Sequence, residues 1–323
     1  MANPAWKDVP VAAPIDSALV DDVRRGLALP QKELSPKYFY DQRGSELFEE
    51  ITKLPEYYLS RTERRLLERW MPELLRRLRS ATLLELGAGA AAKTRLILDA
   101  MRAAGSAELY VPVDVSEQFL HDASAGLRAD YEGLTVWPLV ADISGPLAFP
   151  LRMPRPVLFA FLGSTMGNFE ESAAIALLSR VRGTMAPDDR LLLGADLRKD
   201  VAVIERAYND ARGVTAEFNR NVLEVLNREL HADFVASRFA HRAFYNTTLH
   251  RIEMHLDSIG DQRVPVPSVG TITFRDGESI RTEISCKYDR DTVARLFAAA
   301  GLVIEEWVED EEHPYALVLG APA

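Results

Sequence analysis

From residue 82 to 195 the sequence alternates short apolar runs with helical patterns, and few folds accept that alternation. The runs at 82–86, 109–115, 134–141, 156–162 and 190–195 are too short for helices and apolar enough to be covered on both faces. Helical patterns fall between them, at 93–103, up to about residue 129, and at about 171–185. Buried strands separated by helices predict an α/β fold, a mostly parallel sheet with crossover helices on both faces. After Asp196 the rhythm breaks. Two helical patterns, about 201–211 and 215–230, precede runs at 238–247, 251–257 and 269–274 that read as antiparallel strands. The tail returns to the first rhythm, with a helix at about 291–300 and strands at 303–308 and 316–319. Residues 62–195 and 287–323 therefore read as the α/β core, and 1–61 with 196–286 as an α+β insertion.

The first 35 residues are punctuated by Pro4, Pro10, Pro14 and Pro30, with Pro36 just beyond and one helix at about 17–29. Leu47, Phe48 and Ile51 mark a helical face within 44–54. Ser60 with Glu63 has the spacing of a capping box, and Leu66, Leu67, Trp70 and Leu74 give the helix it would open an apolar face. The same stretch, 61–79, is the densest in basic residues, but Glu63, Glu68 and Glu73 interrupt it, which reads as a solvated helix face. A net charge of -10 argues further against a nucleic-acid partner. Cys286 is the only cysteine, so no internal disulfide or Cys-rich zinc site is expected, and it reads as a small buried hydrophobe. The six histidines show no metal-ligand spacing, and no metal is expected. Neither a signal-peptide pattern nor an apolar stretch of about 20 residues is visible, so no membrane association and a cytoplasmic location are expected.

The chemistry concentrates in Leu83-Leu84-Glu85-Leu86-Gly87-Ala88-Gly89-Ala90, a strand that empties into glycines and then a helix. Glycine lets the backbone turn tightly and approach a ligand, and in open α/β sheets ligands lie beyond the carboxyl ends of the strands. A dinucleotide site has the same G-x-G signal, and Ala92 at the sixth position fits it too, so spacing alone does not decide. Glu85 would repel a pyrophosphate but tolerate a cationic sulfonium. Asp114 ends the second strand, where a carboxylate can take both ribose hydroxyls, and Asp142 ends the third, where it can meet an adenine amine. Each alone reads rather as a capping or surface Asp; Glu85, Asp114 and Asp142 at three successive strand ends together suggest adenosyl binding. At the fourth strand's exit, Phe161-Leu162-Gly163-Ser164-Thr165-Met166-Gly167-Asn168 places Asn168 where it could hold an amino acid or, alternatively, cap the next helix.

With these motifs in place, the chain resembles the histidine Nα-methyltransferases of ergothioneine biosynthesis, nearly end to end. The resemblance is carried by Pro36-Lys37-Tyr38-Phe39-Tyr40-Asp41, Leu54-Pro55-Glu56-Tyr57-Tyr58, the 161–168 segment, Phe218-Asn219-Arg220-Asn221, Arg251-Ile252-Glu253-Met254 and Thr282-Glu283-Ile284-Ser285-Cys286-Lys287. It implies a Rossmann-like class I methyltransferase core with a substrate-recognition insertion. It also implies S-adenosylmethionine as methyl donor, L-histidine as substrate and no obligate protein partner. Cofactor positions fall on Gly87, Lys93, Asp114, Asp142 and Ile143, where Ile143 departs from the family's usual Phe. Histidine-binding positions fall on Tyr57, Gly163, Asn168, Tyr208, Glu283, Ile284 and Ser285, with Met254 lining the imidazole side. Tyr40 matches a tyrosine near the amine, so Tyr40 and Asn168 are the candidate catalytic residues. Asn168 and Tyr208 are expected to hold the substrate carboxylate. If 283–285 is extended, Glu283 and Ser285 share a strand face and can bind the two ring nitrogens. The rival readings are the same fold acting on another amino acid or small amine, a silent adenosyl-binding scaffold, and a nicotinamide-dependent oxidoreductase.

Overall fold

A computed structural model describes residues 15–89, 93–145, 149 and 152–323. Pro4, Pro10, Pro14, Ala90 and Ala92 lie outside the described residues. The chain opens with α1 (Ile15–Leu27), β1 (Lys32–Glu33), a 3₁₀ turn at Pro36–Phe39, α2 (Gln42–Lys53) and α3 (Tyr58–Leu78). The alternating region gives β2 (Thr82–Leu86), α4 (Thr94–Ala103), β3 (Leu109–Asp114), α5 (Glu117–Asp130), β4 (Thr135–Val136) and β5 (Leu139–Val140). It continues with β6 (Val157–Phe161), α6 (Glu171–Thr184) and β7 (Arg190–Asp196). Then come α7 (Val201–Tyr208), α8 (Val214–Leu230), β8 (Phe239–Asn246), β9 (Arg251–Ser258), β10 (Gln262–Val266), β11 (Gly270–Phe274) and β12 (Ser279–Cys286). The tail is α9 (Arg290–Ala299), β13 (Leu302–Glu309) and β14 (Tyr315–Pro322). No helix among the described residues is long and apolar enough to cross a membrane. The described residues divide into two compact units, each drawn from two separate stretches.

The first unit, Arg61–Leu197 with Tyr288–Ala323, holds a sheet ordered β13-β14-β7-β6-β2-β3-β4, with β5 also pairing with β3. β4, β3, β2, β6 and β7 run parallel, while β14 is antiparallel to β7 and β13 to β14. All five residues of β2 and of β6 are buried, which is why their sequences are unbroken rather than alternating. From β2 the chain steps to β3 on one side, and later from β6 to β7 on the other. The loops leaving β2 and β6 therefore diverge and open a crevice at the carboxyl ends, where open α/β sheets take ligands. The run expected at 134–141 appears as two short strands, because Pro138 has no N–H to give the ladder between them. The capping box is not formed: α3 begins at Tyr58, before Ser60, and Glu63 is fully buried rather than solvated.

The second unit, residues 15–60 with Arg198–Lys287, is built on an antiparallel sheet of β12, β9 and β8, with β1 added in parallel at the edge of β12. β10 and β11 form a separate hairpin. Amphipathic α8 buries Phe218, Val222, Val225 and Leu226 against α2, β8 and β9. β9 is buried on both faces: Ile252, Met254 and Leu256 on one, Arg251, Glu253 and His255 on the other. The second set is self-satisfying, since Arg251 and His255 each bond to the Glu253 carboxylate, at 2.9 and 3.1 Å. Cys286 is half-buried, not a fully buried hydrophobe.

Candidate active site

The crevice of the first unit begins at the turn after β2. Gly87 and Gly89 take left-handed φ values of 71° and 50°, which side chains rarely tolerate. The Gly87 and Ala88 N–H groups donate to the Val113 carbonyl at 2.8 and 3.2 Å, tying the turn to β3. The next N–H, of Gly89, donates to Asp114 Oδ2 at 3.0 Å, and the Ser116 N–H donates to Oδ1 at 3.1 Å. Asp142 holds its own turn by accepting from the Ser144 N–H at 2.8 Å and hydroxyl at 2.5 Å. Ile143 beside it is half-buried, with its carbonyl accepting from Arg180 at 3.1 Å. Gly87 thus follows β2, Asp114 is the last residue of β3, and the Asp142-Ile143 pair lies just past β5. Two acceptor-only carboxylates suit hydroxyls and an exocyclic amine, and a Cβ at Gly89 would meet nothing within 4 Å. The residues fit an adenosyl group.

Glu85 does not belong to that set. It is buried and accepts from the Thr94 hydroxyl at 2.6 Å and the Tyr110 hydroxyl at 2.7 Å. Loss of water pushes its carboxyl up to about 7, against those two hydrogen bonds and Lys93. The expected charge beside a sulfonium is instead an internal clamp between β2, β3 and α4.

Glu63, read from the sequence only as a capping-box partner and a solvated helix-face acid, is a hub of the same crevice. Its carboxylate accepts from the Gly163 N–H at 2.8 and 3.0 Å and from the Tyr315 hydroxyl at 2.6 Å. Lys93, a predicted cofactor position at the start of α4, also donates to it and keeps a quarter of its side chain exposed. Gly163 and Ser164 are both left-handed, with φ of 72° and 57°, so the chain turns sharply out of β6. The turn is pinned twice: Glu63 holds Gly163, and the Asp196 N–H donates to Ser164 Oγ at 3.1 Å. A left-handed serine is strained, and such strain persists where the surroundings over-determine it. The 3₁₀ turn Thr165–Asn168 follows. Asn168 ends it half-buried and does not cap α6, whose N-cap is Glu170.

In the second unit, β12 is extended across 283–285, and Glu283 lies opposite Met254 of β9. Ser285 lies opposite Ile252, so Glu283, Ser285 and Met254 share one face. Ile284, opposite Glu253, belongs to the other face. Burial pushes the Glu283 carboxyl up to about 7 although its side chain keeps some exposure, and nearby Lys287 pulls it down. Tyr208, at the end of α7, donates its hydroxyl to Ser285 Oγ at 2.9 Å. Tyr57 packs edge-on to Tyr208 with ring centroids 6.3 Å apart. Tyr40 packs edge-on to Phe48 and Phe218 at 5.7 and 5.8 Å. Tyr40, Tyr57, Tyr208, Met254, Glu283, Ile284 and Ser285 all belong to this unit, while Gly163 and Asn168 belong to the first. Lys287, also unforeseen, is buried two residues beyond Ser285 and bonds to both Ser285 and Tyr208.

The mostly parallel sheet and its strand order are those of the class I S-adenosylmethionine-dependent methyltransferases. A methyltransferase of that kind from Clostridium acetobutylicum shares the fold at a TM-score of 0.50 and 11% identity, over 86% of this chain and 98% of that one. The chain belongs to the histidine-specific, S-adenosylmethionine-dependent methyltransferases, whose family model matches residues 19–322. It is 45% identical to a histidine N-alpha-methyltransferase of Mycobacterium tuberculosis over 94% of this chain and 95% of that protein. A histidine N-alpha-methyltransferase of Mycolicibacterium smegmatis is 43% identical, over 94% of each chain.

Proposed function

We propose that this protein methylates the α-amine of free L-histidine three times, yielding the betaine hercynine in the first step of ergothioneine biosynthesis. The observation that carries the reading is the shared face of Glu283, Ser285 and Met254 in a chain of this family. A carboxylate and a hydroxyl two residues apart on one strand match the two nitrogens of an imidazole, and the thioether beside them covers the ring carbons.

In this reading Gly87, Lys93, Asp114, Asp142 and Ile143 hold the cofactor, with Asp114 on the ribose and Asp142 on the adenine amine. When bound, the cofactor supplies an electrophilic methyl group on sulfur. The chain's own residues position the amine and exclude water, since displacement at carbon requires little else from an enzyme. Asn168 and Tyr208 grip the substrate carboxylate and so fix the amine; Tyr40 and Tyr57 border it. The amine attacks only in its neutral form, because an ammonium has no lone pair.

Incubation with S-adenosylmethionine and the common amino acids, followed by mass spectrometry, tests the reading: histidine alone should gain 3 methyl groups. Glu283→Ala should lose about 2 kcal/mol of histidine specificity in kcat/KM, as a ring N–H goes unpaired. Adding Met254→Val should raise the tryptophan-to-histidine ratio further. An unchanged ratio would remove β12 from substrate recognition. Histamine, which has no carboxylate, should be turned over poorly; turnover comparable to histidine would defeat the assignment of Asn168 and Tyr208.

A further inference from the structure

Lys287 continues the face of Glu283 and Ser285 past the end of β12 and is 1% exposed. Its ammonium donates to the Tyr208 hydroxyl at 3.2 Å and to Ser285 Oγ at 2.8 Å, with the Tyr208 ring centroid 5.0 Å from Nζ. Tyr208 donates its single hydroxyl proton to Ser285 Oγ at 2.9 Å. An ammonium can only donate, so the Tyr208 oxygen receives a bond from a cation and still has its own proton to give. A bond received from a charged donor polarises the O–H and strengthens the bond that the O–H makes in turn.

Under the proposed function the substrate brings a negative carboxylate, and the side chains that hold it, Asn168 and Tyr208, are both uncharged. A carboxylate withdrawn from water is costly unless a positive charge compensates it. We infer that Lys287 supplies that charge at one remove, by donating to the Tyr208 hydroxyl whose own O–H turns to the substrate carboxylate. This rests on the reading that Tyr208 holds the carboxylate. The carboxylate is acceptor-only and a stronger acceptor than a serine hydroxyl, so it draws the one Tyr208 proton away from Ser285. Ser285 keeps the bond from Lys287. With one lone pair and its own proton left, it can serve a ring nitrogen in either protonation state. Lys287 acts through Tyr208, so it is a positioning residue.

The Lys287 charge also acts on Glu283, whose carboxyl it pulls down, so its removal alters the ring end of the pocket as well. Arg198, which donates to the Lys287 carbonyl at 3.3 Å, is a second positive charge nearby and stays in place in every variant below. Two ligands with the same ring and amine separate the two ends. In L-histidinol a neutral hydroxymethyl group replaces the carboxylate of L-histidine. The ratio of the histidinol Kd to the histidine Kd, taken by calorimetry at one pH with S-adenosylhomocysteine present, cancels the shared ring contribution and reads recognition of the carboxylate. A general loosening of the fold would weaken both ligands alike and leave the ratio unmoved.

The wild type should bind histidine more tightly than histidinol, and Lys287→Met should lower the ratio about tenfold. Lys287→Gln keeps N–H donors for both hydroxyls and loses only the charge. It should lower the ratio too, which keeps the test available if Lys287→Met fails to fold. Lys287→Arg should retain more of the ratio than Lys287→Gln. Tyr208→Phe should lower the ratio by itself, and in that background Lys287→Met or Lys287→Gln should change it no further, because the charge acts through the missing hydroxyl. An equal fall in both backgrounds would mean that the charge reaches the carboxylate directly through space, and would overturn the inference. A wild-type ratio retained in both neutral variants would overturn it as well. Equal affinity of the wild type for the two ligands, or a wild-type ratio in Tyr208→Phe, would instead defeat the assignment of Tyr208 to the carboxylate and take the inference with it.

Discussion

Glu85 holds a proton more tightly in the folded protein than in the unfolded chain. Its carboxyl rises from 4.5 to about 7 because burial strips its water, and the hydrogen bonds from Thr94 and Tyr110 only partly oppose that. A raised value means that the group's contribution to stability is complete below about 4.5 and is lost as the pH climbs through 7, to the extent of about 3 kcal/mol. Glu85→Gln cannot ionise. In urea unfolding it should therefore gain on the wild type by that order between pH 5 and 8, whatever constant offset the amide introduces. Parallel stability-against-pH curves would show that Glu85 is ionised in the fold throughout. The same residue shows what a sequence hides at this scale. A carboxylate before a glycine turn is visible, but its direction is set by Thr94 and Tyr110, 9 and 25 residues away. Asp114 was easier to read because the last residue of a strand clears the sheet. The role of Glu63 was not legible, since its partners come from distant chain: Gly163 and Tyr315 lie 100 and 252 residues away.

At the scale of elements, β7 carries a constraint that ties it to α3. A Cβ on Gly194 would sit 2.0 Å from Glu63 Oε1 and 2.7 Å from the Tyr315 hydroxyl, so only glycine lets the buried carboxylate reach the turn after β6. Gly194→Ala should destabilise the protein by about 2–3 kcal/mol and weaken S-adenosylmethionine binding, as Glu63 is pushed off Gly163 and Lys93. In a double-mutant cycle with Glu63→Ala the two losses should be far from additive; additive losses in chemical unfolding would mean that the two positions act separately. Elements covered on both faces were legible almost to the residue, as β2, β6 and β7 show, because an unbroken apolar run bounded by turns has few other uses. Others were not. β10 holds Pro265, which disqualifies most strands but is accommodated in an isolated two-stranded hairpin. β1 is two residues long. β12 alternates, but a bulge between Arg281 and Glu283 breaks its period, so only the 283–285 stretch carried a readable pattern.

For the molecule as a whole, ligand binding and unfolding are linked. A ligand that binds only the folded chain stabilises it by about 2.7 kcal/mol at 100 times its Kd. S-adenosylmethionine and S-adenosylhomocysteine should each raise the Tm in a concentration-dependent way, and Asp114→Ala should demand more cofactor for the same shift, by about 1–3 kcal/mol of lost binding. A wild-type Tm that responds to NADH and not to S-adenosylmethionine would contradict the cofactor assignment. The order of strands has a further consequence, in time rather than in space. β7 lies between β6 and β14, yet β14 is made about 120 residues after it. At ribosomal speeds of about 5–20 residues per second, that interval lasts roughly 6–24 s. Throughout it, one side of β7 is a row of backbone N–H and C=O groups with no neighbouring strand to take them. A nascent chain paused in that window presents to chaperones, or to another nascent chain, an edge that the finished protein never shows.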